Sequence, residues 1–156
     1  MGAPLHHGAS SYHPGYRLSG EPGGRPVNAY EELRALLQRY ARAADERDLE
    51  TLASLFHPEA EMSGSRGAQD LKEWLGTMRE PRAFPQSMHM IGEPLIDLDE
   101  RAEEARLDTY GIVFQLNDPA SGKADLTVGM RYLDLAVVHR GRWVVRRRLA
   151  RTLWMR

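Results

Sequence analysis

The order of apolar and polar residues divides the chain into a helical first part and a strand-rich second part. Apolar residues first recur at the spacing of one helix face, at Leu33, Leu36, Leu37, Tyr40, Ala41 and Ala44. Asn28 followed by Glu31 has the form of a capping box, so we expect the first helix to begin there. A second, shorter helix is predicted from Asp48 to His57-Pro58, because proline disfavours helical geometry in the residue before it.

The pattern then changes from helical periodicity to long strand-like stretches. A short strand is expected around Ala60–Met62, followed by a third helix from Ala68 to about Met78. Turn residues separate the later stretches, which are Ser87–Leu98 with a bend at Gly92 and Pro94, Ala105–Leu116, Leu126–His139 and Trp143–Trp154. Helices followed by a meander of strands predict an α+β fold with the sheet curled round the helices.

Residues 1–26 have a different composition from the rest of the chain. They hold six of the 14 glycines and four of the nine prolines, and they show no hydrophobic period. Three histidines, His6, His7 and His13, lie here, but a flexible segment rarely preorganises a metal site. We therefore predict a flexible N-terminal tail over residues 1–26, a single domain over residues 27–156, and no metal.

Composition and charge narrow the function further. Lys and Arg together number 21 and Asp and Glu 22, so a formal net charge of -1 gives no field that would attract nucleic acid or an anionic membrane. The chain has no cysteine, which excludes disulfides, thiol catalysis and zinc bound by cysteine. No stretch resembles a secretory signal or approaches the ~18 apolar residues of a membrane span, so the expected location is cytoplasmic.

Three groups of residues, taken in order, carry a resemblance to a known family. They are Tyr40–Asp48 with Leu55–Ala60, then Met88–Gly92, and then Arg131–Asp134 with Gly141–Trp143 and Arg148. Together they resemble the SnoaL-like branch of the nuclear transport factor 2-like superfamily. That superfamily includes scytalone dehydratase, bile-acid 7α-dehydratase, ketosteroid isomerase and polyketide cyclases. The resemblance covers roughly residues 28–156.

The resemblance implies a fold, a pocket and a set of site residues. The implied fold is a cone-shaped α+β barrel, in which three N-terminal helices pack in a strongly curved antiparallel sheet. It also implies a deep pocket between the first helix and the sheet, with no metal or organic cofactor. In dehydratases of this branch, a tyrosine and an aspartate five residues apart on the first helix join a histidine from the first long strand. These roles map onto Tyr40, Asp45 and His89, with Ser87 where the family often has threonine.

The chemistry of these three side chains suits proton transfer at carbon. A spacing of five residues separates Asp45 from Tyr40 by about 140° round a helix, so they should form different walls. A carboxylate near a helix C-terminus is poorly placed unless it has a partner. Imidazole titrates near neutrality, so His89 would take a carbon-bound proton and return it to a leaving hydroxyl. Asp45 would orient the imidazole, and Tyr40 would donate to the carbonyl oxygen.

Further residues are candidates for the walls of the pocket. We expect Trp74, Tyr110, Met130 and Tyr132 to contact a hydrophobic substrate, although core packing explains each of them equally well, and Arg148 matches a family position. The predicted function is dehydration, double-bond isomerisation or cyclisation through an enolate, in secondary-metabolite, steroid or aromatic metabolism. Two alternatives stay open: a non-catalytic ligand-binding or assembly module, and the small β-subunit of a ring-hydroxylating dioxygenase.

The strand pattern also predicts self-association. Leu133, Leu135 and Val137 alternate with Tyr132, Ala136 and Val138, so one strand is apolar on both faces. Two apolar faces require two partners, of which the helices are one and a second copy of the chain the other. We expect a homodimer or homotrimer through the sheet in sedimentation experiments at micromolar concentration. A clean monomer under those conditions would contradict the prediction.

Overall fold

The computed structural model describes residues 28–79, 83–101 and 103–156. The predicted N-terminal tail, residues 1–26, lies outside the described residues. The helices are α1 (Ala29–Glu46), α2 (Leu49–Ser54) and α3 (Leu71–Arg79), with a short 3-10 turn at Pro119–Ser121. The strands are β1 (Phe56–Gly64), β2 (Gly67–Asp70), β3 (Gln86–Ile91), β4 (Leu95–Asp99), β5 (Glu104–Leu116), β6 (Leu126–His139) and β7 (Arg142–Met155).

Both predicted helix starts in the first part of the chain are confirmed by their caps. The Asn28 side chain accepts the backbone N–H of Glu31 at 2.9 Å, and Asp48 accepts that of Thr51 at 3.0 Å. These bonds satisfy N–H groups that the first turn of a helix leaves without partners. Between the two helices, Arg47 adopts the left-handed conformation that ends α1. The buried face of α1 is the predicted one, with the addition of Ala43.

The third helix begins later than predicted, at Leu71 rather than Ala68. Gly67–Asp70 instead forms β2, which pairs antiparallel with the end of β1. The helix starts where Asp70 and Glu73 make a reciprocal cap, in which the Asp70 carboxylate accepts the Glu73 N–H at 2.8 Å and the Glu73 carboxylate accepts the Asp70 N–H at 3.1 Å. Asp70 and Glu73 have the spacing of a capping box, which indicates a helix start at this point. The prediction followed the helical periodicity instead and placed the start at Ala68.

The sheet follows the order β2-β1-β7-β6-β5-β3, and β4 also pairs with β5. The predicted α+β class, with helices packed against a large curved sheet, is confirmed. The sheet is mixed, because β1 runs parallel to β7 while the other pairings are antiparallel. The closed barrel and the purely antiparallel sheet that the resemblance implies are therefore corrected: β2 and β3 do not pair with each other, so the sheet is not closed into a barrel. The predicted bend at Gly92 and Pro94 separates β3 from β4, and both strands pair with β5.

Alternation along the strands gives the sheet two distinct faces. The inner face packs its apolar residues against α1, and its buried members include Ala105, Leu107, Tyr132 and Ala136. The outer face carries the intervening residues and holds a cavity of about 650 Å³, lined by charged and apolar side chains such as Arg106, Asp108, Leu133, Leu135 and Leu149. The predicted association between copies concerns this outer face and stays a prediction.

A histidine pair lies where β1 begins and β6 ends. The ring centroids of His57 and His139 are 4.6 Å apart. Burial lowers the pKa of His57 below its ordinary value of 6.5, and the neighbouring His139 and Arg146 lower it further, while Glu59 acts in the opposite direction. A histidine with a lowered folded-state pKa takes up a proton more readily after unfolding. The folded state therefore loses stability as the pH falls through the unfolded-state pKa.

The pH dependence of stability tests this pair. Between about pH 7 and about pH 5, the free energy of unfolding should fall less steeply for His57→Gln than for the unsubstituted protein. Glu59→Gln should make the fall steeper, because it removes a carboxylate that raises the His57 pKa and so leaves that pKa further below its ordinary value. Urea denaturation at several pH values measures both slopes. Parallel curves for all three proteins would contradict this account.

Candidate functional site

The end of α1 meets the middle of β3 through a carboxylate–imidazole contact. Asp45 Oδ1 lies 2.6 Å from His89 Nδ1, and the two side chains are 21% and 14% exposed. An ionised carboxylate can only accept, so the hydrogen of this bond belongs to His89 Nδ1. Nε2 is then the ring nitrogen that can accept a proton from a substrate. The structure thus brings together two of the three predicted catalytic residues.

The same carboxylate is held by two further donors from β3. The Ser87 hydroxyl donates to Oδ1 at 2.8 Å, and the backbone N–H of His89 donates to Oδ2 at 2.8 Å. Ser87 and His89 are two residues apart on one strand, so their side chains point to the same side. A carboxylate at a helix C-terminus, unfavourable by itself, is therefore stabilised by the strand.

Tyr40 is the common neighbour of this dyad and of an aromatic cluster. Its ring centroid is 6.1 Å from that of His89 in an edge-to-face arrangement and 6.5 Å from that of Trp74 in a stacked one. Phe56 and Tyr132 complete the cluster at 6.2 and 6.0 Å. Burial raises the pKa of Tyr132, and the Tyr40 side chain raises it further. The Tyr132 phenol therefore stays protonated at neutral pH.

A buried ion pair supports the cluster from the sheet side. Arg148 on β7 binds its register partner Asp134 on β6 through two bonds, Nε to Oδ1 at 2.8 Å and Nη2 to Oδ2 at 2.7 Å. The side chains are 4% and 0% exposed. Burial by itself would lower the pKa of Arg148, but the Asp134 carboxylate outweighs it, so the pKa is raised and the guanidinium stays charged. Its carbon lies 4.0 Å from the centre of the Tyr40 ring.

One nitrogen of this guanidinium is left without a partner in the described part of the chain. Arg148 Nη1 is buried and bonds to none of these residues. Leaving a buried donor unpaired costs about 1–3 kcal/mol, and more for a charged group. The Arg148 side chain also lines a cavity. Sequence reasoning assigned no role to Asp134, although its position between Tyr132 and Ala136 places it on the buried face of β6.

The cavity lies between α3, the hairpin of β1 and β2, and the strands β6 and β7. Its volume is about 190 Å³, and its walls include Tyr40, Trp74, Met130 and Arg148, four of the predicted site residues. Other wall residues are Met62, Ser63, Arg66, Gln69, Thr77, Met78, Ala150 and Thr152. Asp45 and His89 are not among the residues that line it. The predicted pocket is therefore displaced toward α3, and the Tyr40 ring contacts both the dyad and the cavity.

Two predicted lining residues lie elsewhere. Tyr110 is 58% exposed on the outer face of β5, where the Arg131 guanidinium lies 5.5 Å from its ring centre. The prediction that Tyr110 lines the pocket is corrected, because the residue that points inward at this point of β5 is its neighbour Thr109. The Thr109 hydroxyl is buried and bonds to none of the described residues. Tyr132 is inward but buried behind Tyr40, so it supports the pocket and does not line the cavity.

The described part of the chain holds neither a candidate metal site nor a candidate membrane span. Over residues 28–79, 83–101 and 103–156, no three His, Asp or Glu side chains are grouped so that they could hold a metal ion. None of the helices in those ranges is long and apolar enough to span a membrane.

Comparison with known proteins identifies the family. The family model for the SnoaL-like domain matches residues 25–149, and the chain therefore belongs to the SnoaL-like family. No curated protein matches the chain in sequence. Among solved structures, a scytalone dehydratase-like protein from Novosphingobium aromaticivorans superimposes with a TM-score of 0.71 at 22% identity, covering 80% of this chain and 84% of that one.

Other solved structures support the same fold. A type 2 hexachlorocyclohexane dehydrochlorinase, LinA, superimposes with a TM-score of 0.70 at 12% identity, covering 80% of this chain and 85% of that one. An NTF2-like protein with a cystatin-like fold, also from Novosphingobium aromaticivorans, gives 0.68 at 18% identity, covering 79% and 80%. At these identities the likeness establishes the cystatin-like, NTF2-like α+β fold, and the resemblance found in the sequence is confirmed.

The buried ion pair predicts a large difference between two substitutions on β6 and β1, the strands on either side of β7. Asp134→Ala leaves the Arg148 charge buried and uncompensated, which should cost about 3–5 kcal/mol of unfolding free energy. Glu61→Ala removes the exposed partner of Arg147 on the outer face and should cost at most about 1 kcal/mol. Chemical denaturation measures both. Equal losses would show that the Asp134–Arg148 pair contributes no more than a surface pair.

Proposed function

We propose that this protein is a cofactor-independent lyase or isomerase that removes a carbon-bound proton from a hydrophobic small molecule beside a carbonyl group. The observation that carries the proposal is the 2.6 Å contact between Asp45 and His89, with Tyr40 packed against the imidazole. This arrangement provides a base, a group that orients the base, and a neighbouring phenol. A binding or assembly module has no need of an imidazole oriented in this way.

The reaction proceeds in two proton transfers. His89 Nε2 takes the proton from the carbon next to the carbonyl, and the electron pair of the broken C–H bond moves to the carbonyl oxygen. Asp45 stabilises the imidazolium that forms. The Tyr40 hydroxyl and Arg148 Nη1 are the donors proposed for the developing oxyanion. The electron pair then returns and expels the leaving group from the β carbon. For dehydration, the departing hydroxide takes the proton back from His89 and leaves as water.

Several outcomes share the first of these steps. The names of the structural relatives denote loss of water from scytalone and loss of hydrogen chloride from hexachlorocyclohexane. Isomerisation would return the proton to a different carbon, and cyclisation would use the enolate carbon to attack a second carbonyl. We favour dehydration of a β-hydroxy carbonyl compound for this protein, because the His89 proton then has a defined acceptor in the departing hydroxyl.

Paired substitutions test the proposed dyad. With a β-hydroxy ketone such as the aldol of benzaldehyde and acetone, dehydration is followed by the absorbance of the conjugated enone. His89→Ala should reduce the rate by roughly 10²–10⁴-fold. Asp45→Asn should also reduce it steeply, because an amide cannot balance an imidazolium. The double variant should be little slower than the slower single one, since the two residues act as a unit.

Two further measurements complete the experiment: the rate of Tyr40→Phe, and circular dichroism of every variant to check that it is folded. Loss of one of two oxyanion donors should slow the reaction by about 10–100-fold, less than loss of the base. Arg39→Gln, an exposed helix substitution outside the cavity and the dyad, serves as the matched control and should leave the rate unchanged. If correctly folded His89→Ala and Asp45→Asn both keep the rate of the unsubstituted enzyme, the mechanism is wrong and a binding role becomes the better explanation.

A further inference from the structure

The cavity has a polar mouth and a less polar interior. Arg66, Ser65 and Gly67 of the hairpin turn and Thr152 of β7 are exposed and mark the mouth, whereas Met62 and Arg148 are 4% and 3% exposed and form the bottom. A molecule in the cavity would therefore have one end near the Arg148 side chain and the other near the turn that carries Arg66.

The hairpin places Arg66 at this mouth in a defined way. Gly64 and Gly67 are register partners, so Ser65 and Arg66 form a two-residue turn between β1 and β2. Gly67 has a φ of +84°, which a residue with a side chain would adopt only with strain, and a Cβ on Gly64 would approach the Ala150 carbonyl oxygen at 3.3 Å. The two glycines let the turn close tightly beside β7, and Arg66 is the cation that this turn carries.

The charge of the cavity is not balanced. None of the described residues that line it is Asp or Glu, and its two cations are Arg66 and Arg148. The Arg148 charge is compensated by Asp134, whereas the Arg66 side chain is exposed and forms no ion pair or hydrogen bond with the described residues. A cleft lined by one sign of charge concentrates ions of the opposite sign. The uncompensated charge is therefore that of Arg66 at the mouth of the cavity, at the end opposite to Arg148.

We infer, resting on the function proposed above, that Arg66 selects substrates with an anionic group at the end opposite to the reacting carbonyl. The anionic group that we propose is a carboxylate. The carbonyl oxygen accepts from Arg148 Nη1, an apolar ring lies between Trp74 and Met130, and the carboxylate pairs with Arg66. The volume of about 190 Å³ lies below the 300–1,000 Å³ of sites for drug-sized ligands. It therefore favours a substrate of one ring with short substituents over a steroid.

Equilibrium binding of two matched probes tests the inference without requiring turnover. Para-acetylbenzoate has a ketone and a carboxylate at opposite ends of one ring, and para-acetylbenzamide is its neutral counterpart. At low salt, calorimetric titration should show the carboxylate bound about threefold to fivefold more tightly, the factor that an ion pair with an exposed arginine supplies. In about 1 M salt, where the Debye length falls to about 3 Å, the ratio should approach one.

Three variants assign the preference to Arg66. Arg66→Gln should reduce the ratio to less than about twofold at low salt, whereas Arg39→Gln, an arginine on the exposed side of α1, should retain it. His89→Ala should also retain it, because the imidazole takes no part in recognising the carboxylate. A preference that persists in Arg66→Gln, or equal binding of the two probes by the unsubstituted protein, would overturn the inference.

The same measurements separate this inference from the proposed function. If His89→Ala keeps full turnover but the carboxylate preference depends on Arg66, the catalytic proposal fails while the anion site stands. If the dyad substitutions abolish turnover but both probes bind equally well, the anion site fails while the catalytic proposal stands.

Discussion

The buried pair of Arg148 and Asp134 is the interaction on which the site depends most. It joins β6 to β7 at the inner face of the sheet, and its guanidinium lies 4.0 Å from the centre of the Tyr40 ring on α1. Moving two charges out of water is costly, and mutual attraction offsets this cost only when the geometry is good. The bidentate contact meets that condition. Nη1 of the same guanidinium bonds to none of the described residues, and the Arg148 side chain forms part of the cavity wall.

A second constraint is the junction between α1 and β3. The Asp45 carboxylate receives hydrogen bonds from the Ser87 hydroxyl and from the backbone and ring of His89. These three donors offset the unfavourable position of a negative charge at a helix C-terminus. They also fix which imidazole nitrogen carries the hydrogen. The stability of the junction and the orientation of the proposed base therefore arise from the same bonds.

Tyr40 connects the two constraints. One side of its ring contacts His89 and another contacts Trp74 and the Arg148 guanidinium. The dyad does not itself line the cavity, and Tyr40 is the proposed catalytic residue that contacts both. A single aromatic residue thus joins the packing of the helix to both the cavity and the dyad.

Much of this structure follows from local sequence signals. The caps at Asn28 and Asp48, the apolar face of α1 and the long strands β5 to β7 were readable because hydrogen-bonding and burial patterns repeat over a few residues. The family pattern, with its ordered tyrosine, aspartate and histidine, predicted a contact that the structure shows between Asp45 and His89. These features depend on neighbours in sequence or on a pattern shared by relatives.

Other features were decided by the tertiary structure alone. Gly67–Asp70 is a strand because β1 offers an edge with which it can pair, although the local pattern favoured a helix. Tyr110 faces outward because the register of β5 places Thr109 inward, and a shift of one residue reverses every side chain of a strand. The pairing of Asp134 with Arg148 also depends on register. The sequence by itself determined most of the elements and the candidate dyad, whereas the register and the pairing of distant strands determined which side chains the cavity brings together.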